Sequence, residues 1–361
     1  MTLPFQPPLE PMLAKLKDEI PTEPGWLFEP KWDGFRAIVF REGDEITIVS
    51  RDKKPLNRYF PELVDLLERE LPADCVIDGE IVIPGPKVLE FDWLLQRIHP
   101  AESRVRKLAA EWPSSFVGFD LLAEGEEDLR TGEQATRRAR LEQLLSSAVQ
   151  LPSGTKTSGV ELEVEVIEAL APGPKLALTP QTDDAELASV WFDVFEGAGL
   201  DGIIAKKLNQ TYEPGKRAML KIKHHRTADC VVGGYRLNKT QDGIGSLLLG
   251  LYDDDGTLHY VGHTSSFKAP ERRALLEELR PLEGGTSFGG GRTPGGPSRW
   301  ARAEGANWVA LEPSRVCEVA YEHLQAGRFR HSATFKRWRP EKPPEECLFD
   351  QILPAARRGA T

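Results

Sequence analysis

The strongest constraint on the fold is a change of pattern at His225. Before it, short β-rich runs alternate with helical spacing. "FRAIVFREGDEITIVSRD" reads as two strands around an "EGDE" turn, and "PELVDLLEREL" (61–71) as a helix opened by proline. "CVIDGEIVIP" (75–84) reads as a strand interrupted by Asp-Gly, and "SSFVGFDLLA" (114–123) as another strand. "EQATRRARLEQLLSSA" and "DDAELASVWFDVFEGAG" (183–199) carry helical apolar spacing, the second closing on glycine. "LDGIIAKK" and "AMLKIKHH" read as two short strands, while 151–180 stays ambiguous between its Gly/Pro-rich ends.

After His225 five short strands follow: "DCVVGGYRL", "GSLLLGLYDDDG", "LHYVGHTSS", "VCEVAYEHL" and "FRHSATFKRWR". One helix, "APERRALLEELRPL", lies between the third and fourth. That order predicts a small β-barrel of the OB kind. The expected fold is therefore α+β in two domains. An antiparallel-sheet domain covers 1–224, a hinge 225–228, and the barrel 229–361. "EGGTSFGGGRTPGGPSR" (283–299) reads as a low-complexity loop, and no repeat of twenty to fifty residues is evident.

With 361 residues and 40% hydrophobic content the chain can bury a core in each domain. It has no apolar run of about eighteen residues and no secretory leader at its start, which predicts a cytoplasmic protein with no membrane contact. The four cysteines are far apart with no CxxC, which fits reduced thiols and argues against structural zinc. Net charge is −10, which taken alone counts against nucleic acid. The charge is uneven, however. Residues 226–361 hold 19 Lys and Arg against 17 Asp and Glu, so the excess acid lies in the first 225 residues. "KLNQTYEPGKRAMLKIKHHR" (207–226) and "GRFRHSATFKRWRPEK" (327–342) are basic tracks, the second with aromatics among the cations. Such a mixture suits a phosphate backbone.

Five small clusters recur at strand ends or turns of the first domain. They are Lys31-Trp-Asp-Gly-Phe-Arg36, Ser50-Arg51, Asp78-Gly-Glu80, Phe119-Asp120, and Asp201-Gly-Ile-Ile-Ala-Lys206 followed by Lys221-Ile-Lys223. Three contain Asp-Gly, where a turn is expected to bring a carboxylate to a strand edge. Together they offer one candidate nucleophile, carboxylates suited to Mg²⁺, further cations and an aromatic able to stack a purine. A nucleophilic lysine must lose its proton, and several cations around Lys31 are expected to lower its pKa.

The order KWDGFR, DGE, FDLL, DGIIAK and LKIK, followed by a β-barrel, resembles the covalent nucleotidyltransferases, which comprise ATP-dependent DNA ligases, RNA ligases and mRNA capping enzymes. Nearly the whole chain takes part. "EPMLA", "RYFPEL", "QRIHPAESRV", "FEGAGLDGIIAK", "DGIGSLLLGLY", "PSRW" and "VCEVAY" are similar to the small bacterial ATP-dependent ligase C group, a relative of the ligase domain of end-joining ligase D. The resemblance implies an ATP-dependent DNA ligase using ATP and Mg²⁺, with Mn²⁺ as an alternative ion.

Carried over residue by residue, the resemblance makes Lys31 the nucleophile that takes AMP from ATP. Glu29 would read the adenine edge and Phe119 would stack the ring. Arg36 and Arg51 would hold ribose and phosphates, Glu80 the ribose or a metal, and Asp201 Mg²⁺. Lys206 belongs to the same nucleotide set, and Lys221 and Lys223 would clamp the α-phosphate. Arg339 and Lys342 would orient the pyrophosphate, and Arg328, Arg330, Lys336 and Arg337 would meet DNA. Two positions depart from the family pattern. Asp201 stands where glutamate is usual, and Arg339-Pro-Glu341-Lys342 replaces Arg-x-Asp-Lys. The implied partners are nicked double-stranded DNA and DNA repair proteins, with a monomeric enzyme. The rivals are an mRNA guanylyltransferase, an RNA ligase, and a non-catalytic nucleic-acid-binding module. An NAD⁺-dependent ligase would need a nicotinamide-binding domain and zinc cysteines.

Overall fold

The structure is a computed structural model. It describes all residues except 1, 73, 155–159, 196–197, 225, 286, 290–293, 295–307, 323, 326 and 353–361. The expected hinge residue His225 and most of the 283–299 loop thus lie outside the described residues. The chain divides into two compact units, Met1–Lys223 and His224–Thr361.

The first unit runs β1 (Leu13–Lys17), β2 (Trp26–Pro30), β3 (Phe35–Glu42), β4 (Glu45–Ser50), α1 (Pro61–Glu70), β5 (Cys75–Val82), α2 (Phe91–Arg97), α3 (Glu102–Glu111), β6 (Ser115–Glu124), β7 (Glu127–Asp128) and α4 (Gln134–Leu144). It continues with β8 (Val149–Gln150), α5 (Val160–Leu170), β9 (Leu176–Leu178), α6 (Ala185–Val194), β10 (Ile203–Lys207) and β11 (Arg217–Ile222). These strands make two sheets. The larger has the order β4-β3-β5-β6-β9-β8, with β7 paired to β6, and the smaller has the order β1-β11-β10-β2. The larger sheet is antiparallel except where β9 meets β6 and β8, and the smaller is antiparallel except for the β1–β11 pair.

Local sequence explains the elements. Proline opens α1, and Leu63, Leu66 and Leu67 at helical spacing bury against Ile48 and Ile77 of the larger sheet. Asp184 caps α6 by accepting from the Glu186 and Leu187 amides at 2.8 and 3.4 Å. The expectation that Asp78-Gly79 interrupts a strand is corrected: β5 runs unbroken through both residues. Gly79 permits this because a Cβ there would lie 2.4 Å from the Phe116 ring and 2.5 Å from the Val117 carbonyl. The register with β6 shifts at that point, which bends the strand without ending it.

The second unit runs β12 (Arg226–Leu237), β13 (Ile244–Tyr252), β14 (Leu258–Thr264), α7 (Ala269–Leu279), β15 (Val309–Ala310), β16 (Val316–Tyr321), β17 (Leu324–Gln325), β18 (Arg328–Phe329) and β19 (Thr334–Trp338). The five strands read from the sequence are present, with α7 between the third and fourth. They pair in the order β14-β13-β12-β16-β19, with β15 beside β12. The end strands approach through one isolated bridge, Thr264 to Ala333, and otherwise the described ladder is open. What the described residues show is thus a sheet whose ends meet at one bridge rather than a fully hydrogen-bonded barrel. Its core holds Cys230, Cys317 and Cys347, all free and fully buried, with burial pushing each thiol far above its ordinary range. No described helix is long and apolar enough to cross a membrane.

Candidate active site

Two strand ends fix Lys31. It follows β2 directly, and its amide donates to the Gly202 carbonyl at 2.8 Å while the Asp201 amide donates to the Lys31 carbonyl at 2.9 Å. Gly202 has φ +113, and a Cβ there would lie 2.0 Å from the Ile222 carbonyl oxygen. Only glycine lets β10 begin this close to the end of β11. The two motifs, 170 residues apart in the chain, are thereby held as one backbone pair.

Lys31 lines a cavity of about 230 Å³ with Glu29, Arg36, Arg51, Glu80, Phe119, Lys206 and Lys221. Ile204, Met12, Met219 and Trp32 supply apolar wall. Asp201 and Lys223 stand next to it. The Asp201 carboxylate is 2.8 Å from Lys31 Nζ and 2.7 Å from Lys223 Nζ. The other nine residues named from the sequence in the first unit are therefore gathered around Lys31.

The expected direction of the Lys31 pKa is overturned. Burial, the largest influence, pushes the amine down, but Asp201 and Asp33 push it back and beyond its ordinary value. The expectation counted the cations of the clusters and missed that a carboxylate sits nearer than any of them. In this state Lys31 is an ammonium held by Asp201.

Glu80 behaves oppositely. Burial raises its carboxyl to about 7, against the pull of Arg36 and Lys31. Its Oε1 accepts from the Gly34 amide at 3.2 Å. Arg36 is held by two bonds of 2.6 Å to the fully buried Asp78, and its guanidinium lies 4.5 Å from the Phe119 ring centre. Asp78 also accepts from Tyr212 at 2.6 Å, and Asp120 is taken by Arg137 at 2.8 Å. These two cluster carboxylates are structural partners of arginines and are not free for a metal.

The adenine-edge candidate, Glu29, is only 3% exposed. Lys206 Nζ is 2.7 Å from its carboxylate, Gln181 Nε2 donates to it at 2.9 Å, and Arg138 lies 3.9 Å away. Gln181, Arg138 and Thr179 were not found from the sequence. Phe28 and Thr182 exchange backbone bonds of 2.7 and 3.0 Å, which sets Gln181 beside Glu29. Thr179 accepts from Trp32 Nε1 at 2.9 Å through its hydroxyl, and from Arg138 at 2.9 Å through its carbonyl. The one sequence signal for Thr179 and Gln181 is the capped turn before α6, and Arg138 lies within the helical spacing of α4.

Among the described residues no group of three His, Cys, Asp or Glu side chains is placed to hold a metal ion. Asp33, Glu80 and Asp201 all act on the Lys31 charge, so hard oxygen donors do surround it. Mg²⁺ is often held by one or two carboxylates with substrate phosphates and water completing the shell, and this donor set fits that use.

The remaining candidates lie in the second unit. Arg339 is paired to Asp229 at 2.8 Å and to Glu341 at 2.6 Å, and Lys342 to Glu346 at 3.0 Å. Arg337 is paired to Glu318 at 2.7 Å. Arg328 stacks over Tyr260 at 5.0 Å, Arg330 follows β18, and Lys336 is exposed on β19.

Comparison with known proteins agrees with this arrangement. The family described as ATP dependent DNA ligase domain matches residues 11–223, and the ATP dependent DNA ligase C terminal region matches 240–342. DNA ligase C1 of Mycolicibacterium smegmatis is 47% identical over 98% of this chain and 96% of its own. The multifunctional non-homologous end joining DNA repair protein LigD of Mycobacterium tuberculosis is 30% identical over 90% of this chain, which covers 37% of that protein. A solved Lig E DNA ligase structure has a TM-score of 0.52 at 17% identity, covering 91% of this chain and 99% of that one, and shares the fold. The chain belongs to the family of ATP-dependent DNA ligases, enzymes that form phosphodiester bonds.

Proposed function

We propose that this ligase seals nicks in duplex DNA through a lysyl-AMP at Lys31. The observation that carries the reading is the single cavity around Lys31, lined by base, ribose and phosphate candidates together. Lys31 first loses its proton, and its Nζ attacks the α-phosphate of ATP. An N–P bond forms as the P–O bond to pyrophosphate breaks. AMP then passes to the 5′-phosphate at the break, and the neighbouring 3′-hydroxyl displaces it. Positioning and charge neutralisation supply the catalysis, because the leaving groups are good ones.

Glu29 accepts from the adenine amino group while Phe119 and Ile204 pack on the ring. Arg51, Lys221 and Lys223 neutralise phosphate oxygens. When bound by Asp201 and Glu80, Mg²⁺ supplies further neutralisation of phosphate charge, and Mn²⁺ has similar ligand preferences. Arg339 and Lys342 orient the pyrophosphate once their present carboxylate partners release them. A hinge at 225–228 lets the same site serve all three steps. Arg328, Arg330, Lys336 and Arg337 contact DNA phosphates. A role in DNA repair follows the kinship with an end-joining protein, and we place the enzyme as a cytoplasmic monomer.

The test is a denaturing gel after incubation with α-labelled ATP, GTP or NAD⁺ and Mg²⁺. ATP alone is expected to leave a covalent label, and Lys31→Ala to abolish it. Label from GTP, or a folded protein without label, overturns the reading.

A further inference from the structure

A groove of about 590 Å³ runs along the smaller sheet of the first unit, apart from the nucleotide cavity. Lys15 and Lys17 of β1, Lys207 of β10, and Arg217, Ala218 and Leu220 of β11 line it. The nucleotide cavity takes Lys206, Met219 and Lys221 from the same strands. Successive side chains of a strand point to opposite faces, so the groove lies on the reverse face of the sheet. Arg217, at the start of β11, lines both.

The charge of the groove is unlike that of the chain. Four cations stand against two rim carboxylates, Glu19 and Glu23, in a protein of net charge −10. Glu23 is turned to Trp26, whose Nε1 donates to it at 3.0 Å. Lys207 lies 5.4 Å from the Trp26 ring centre. Among the described residues Lys15, Lys17 and Arg217 have no ion-pair partner, and all three are exposed. Other cations of this unit, Arg36, Arg97, Arg130, Arg137 and Arg140, each hold a carboxylate at 2.6–2.8 Å. Lys15, Lys17 and Arg217 stand side by side on neighbouring strands, and in an acidic chain that grouping suits an anion of another molecule.

The arrangement selects the kind of anion. A small phosphorylated ligand needs donors that converge on one point. Lys15 and Lys17 instead lie in line on one face of an extended strand, roughly 6.6 Å apart. Trp26 is 9% exposed and already carries Lys207, so no base stacks on it. A line of exposed cations without a base platform fits a repeating phosphodiester backbone, read without regard to sequence.

We infer that this groove is a second DNA contact of the ligase, in which Lys15 and Lys17 hold the backbone of the duplex away from the break and Arg217 joins that track to the nucleotide cavity. The inference rests on the nick-sealing reading for its substrate.

The experiment uses the full chain and a fluorescent nicked duplex with a 5′-phosphate, without ATP, over a series of KCl concentrations. Neutralising two phosphate contacts less should make the slope of log affinity against log salt shallower by about 1.8. Lys15→Gln/Lys17→Gln is expected to show that change and roughly tenfold weaker binding at moderate salt. Its self-adenylation with labelled ATP should match wild type, since that step needs no DNA. Lys15→Arg/Lys17→Arg should keep the wild-type slope. A glutamine variant with wild-type slope and affinity overturns the inference, as does an arginine variant that loses slope like the glutamine one. A wild-type protein that self-adenylates but binds no nicked duplex overturns the DNA reading itself, which separates the two failures.

Discussion

Lys206–Glu29 and Lys31–Asp201 are lysine–carboxylate pairs of 2.7 and 2.8 Å around one cavity, yet their surroundings differ. Both side chains of the first are nearly sealed, at 2 and 3% exposure, and Gln181 and Arg138 also face the carboxylate. In the second, Lys31 is 19% exposed and its carboxylate is shared with Lys223. The first pair is sealed, with Lys206, Gln181 and Arg138 all presenting donors to one carboxylate. The second is balanced: Asp201 keeps a cation whether or not Lys31 is charged. A residue that recognises needs the first environment, and a residue that must lose a proton and form a bond needs the second.

The comparison breaks most visibly in stability. Lys206→Met should leave Glu29 buried without its closest cation and cost about 3–5 kcal/mol of unfolding free energy. Lys31→Ala, which removes all labelling, should change stability by less than about 1 kcal/mol, because Asp201 retains Lys223 at 2.7 Å. Urea denaturation of the two variants checks this. Equal losses would mean that the two pairs are structurally alike and that the distinction drawn from exposure is wrong.

Most of this site was legible in the sequence for a physical reason. Lys31, Glu80, Phe119, Asp201 and Lys221 sit in short motifs at strand ends or on strands, where backbone geometry and side-chain chemistry are fixed together. The parts that were not legible act through space. Gln181 reaches Glu29 across 152 residues through one backbone bridge, with no motif of its own. Asp78 and Asp120 look like Glu80 in sequence, but the arginines that occupy them, Arg36 and Arg137, come from another strand and from a helix. The sign of the Lys31 shift depends on which charge is nearest, and spacing along a chain does not order distances across a sheet.

That sign gives the next prediction. Burial pushes Lys31 down and Asp201 leads the groups that push it up, with a net rise. A lysine whose folded pKa is raised adds stability below its unfolded pKa and loses it as pH rises through the folded one. Nucleophilic attack needs the neutral amine, so self-adenylation should climb with pH through the alkaline range. In Asp201→Asn the largest upward influence is gone, which leaves burial opposed chiefly by Asp33 and Glu80. The alkaline limb should move to lower pH, even as the maximal rate falls. Asp201→Glu, the residue usual in the family, should keep the limb near its wild-type position. A limb unmoved in Asp201→Asn would show that Asp201 does not set the lysine's proton affinity.

The smallest expected effect sharpens the other pair. Gln181 donates to Glu29 at 2.9 Å and touches none of the other residues of the nucleotide cavity through a side-chain bond. It is a positioning residue: it aims a carboxylate that Lys206 already holds at 2.7 Å. Adenine presents an amino donor at its six-position, and guanine presents a carbonyl acceptor. An ionised carboxylate held in place accepts from the first and repels the second. Gln181→Leu removes one hydrogen bond to a charged group, a change of about 1.5 kcal/mol or more. Loosening Glu29 should raise the apparent KM for ATP and lower the preference for ATP over GTP by about tenfold, with the labelling rate at saturating ATP kept. Gln181→Asn, which shortens the reach by a methylene, should fall between. A variant with wild-type preference but lower stability would make Gln181 a packing residue, and would leave Lys206 and Arg138 to aim the carboxylate.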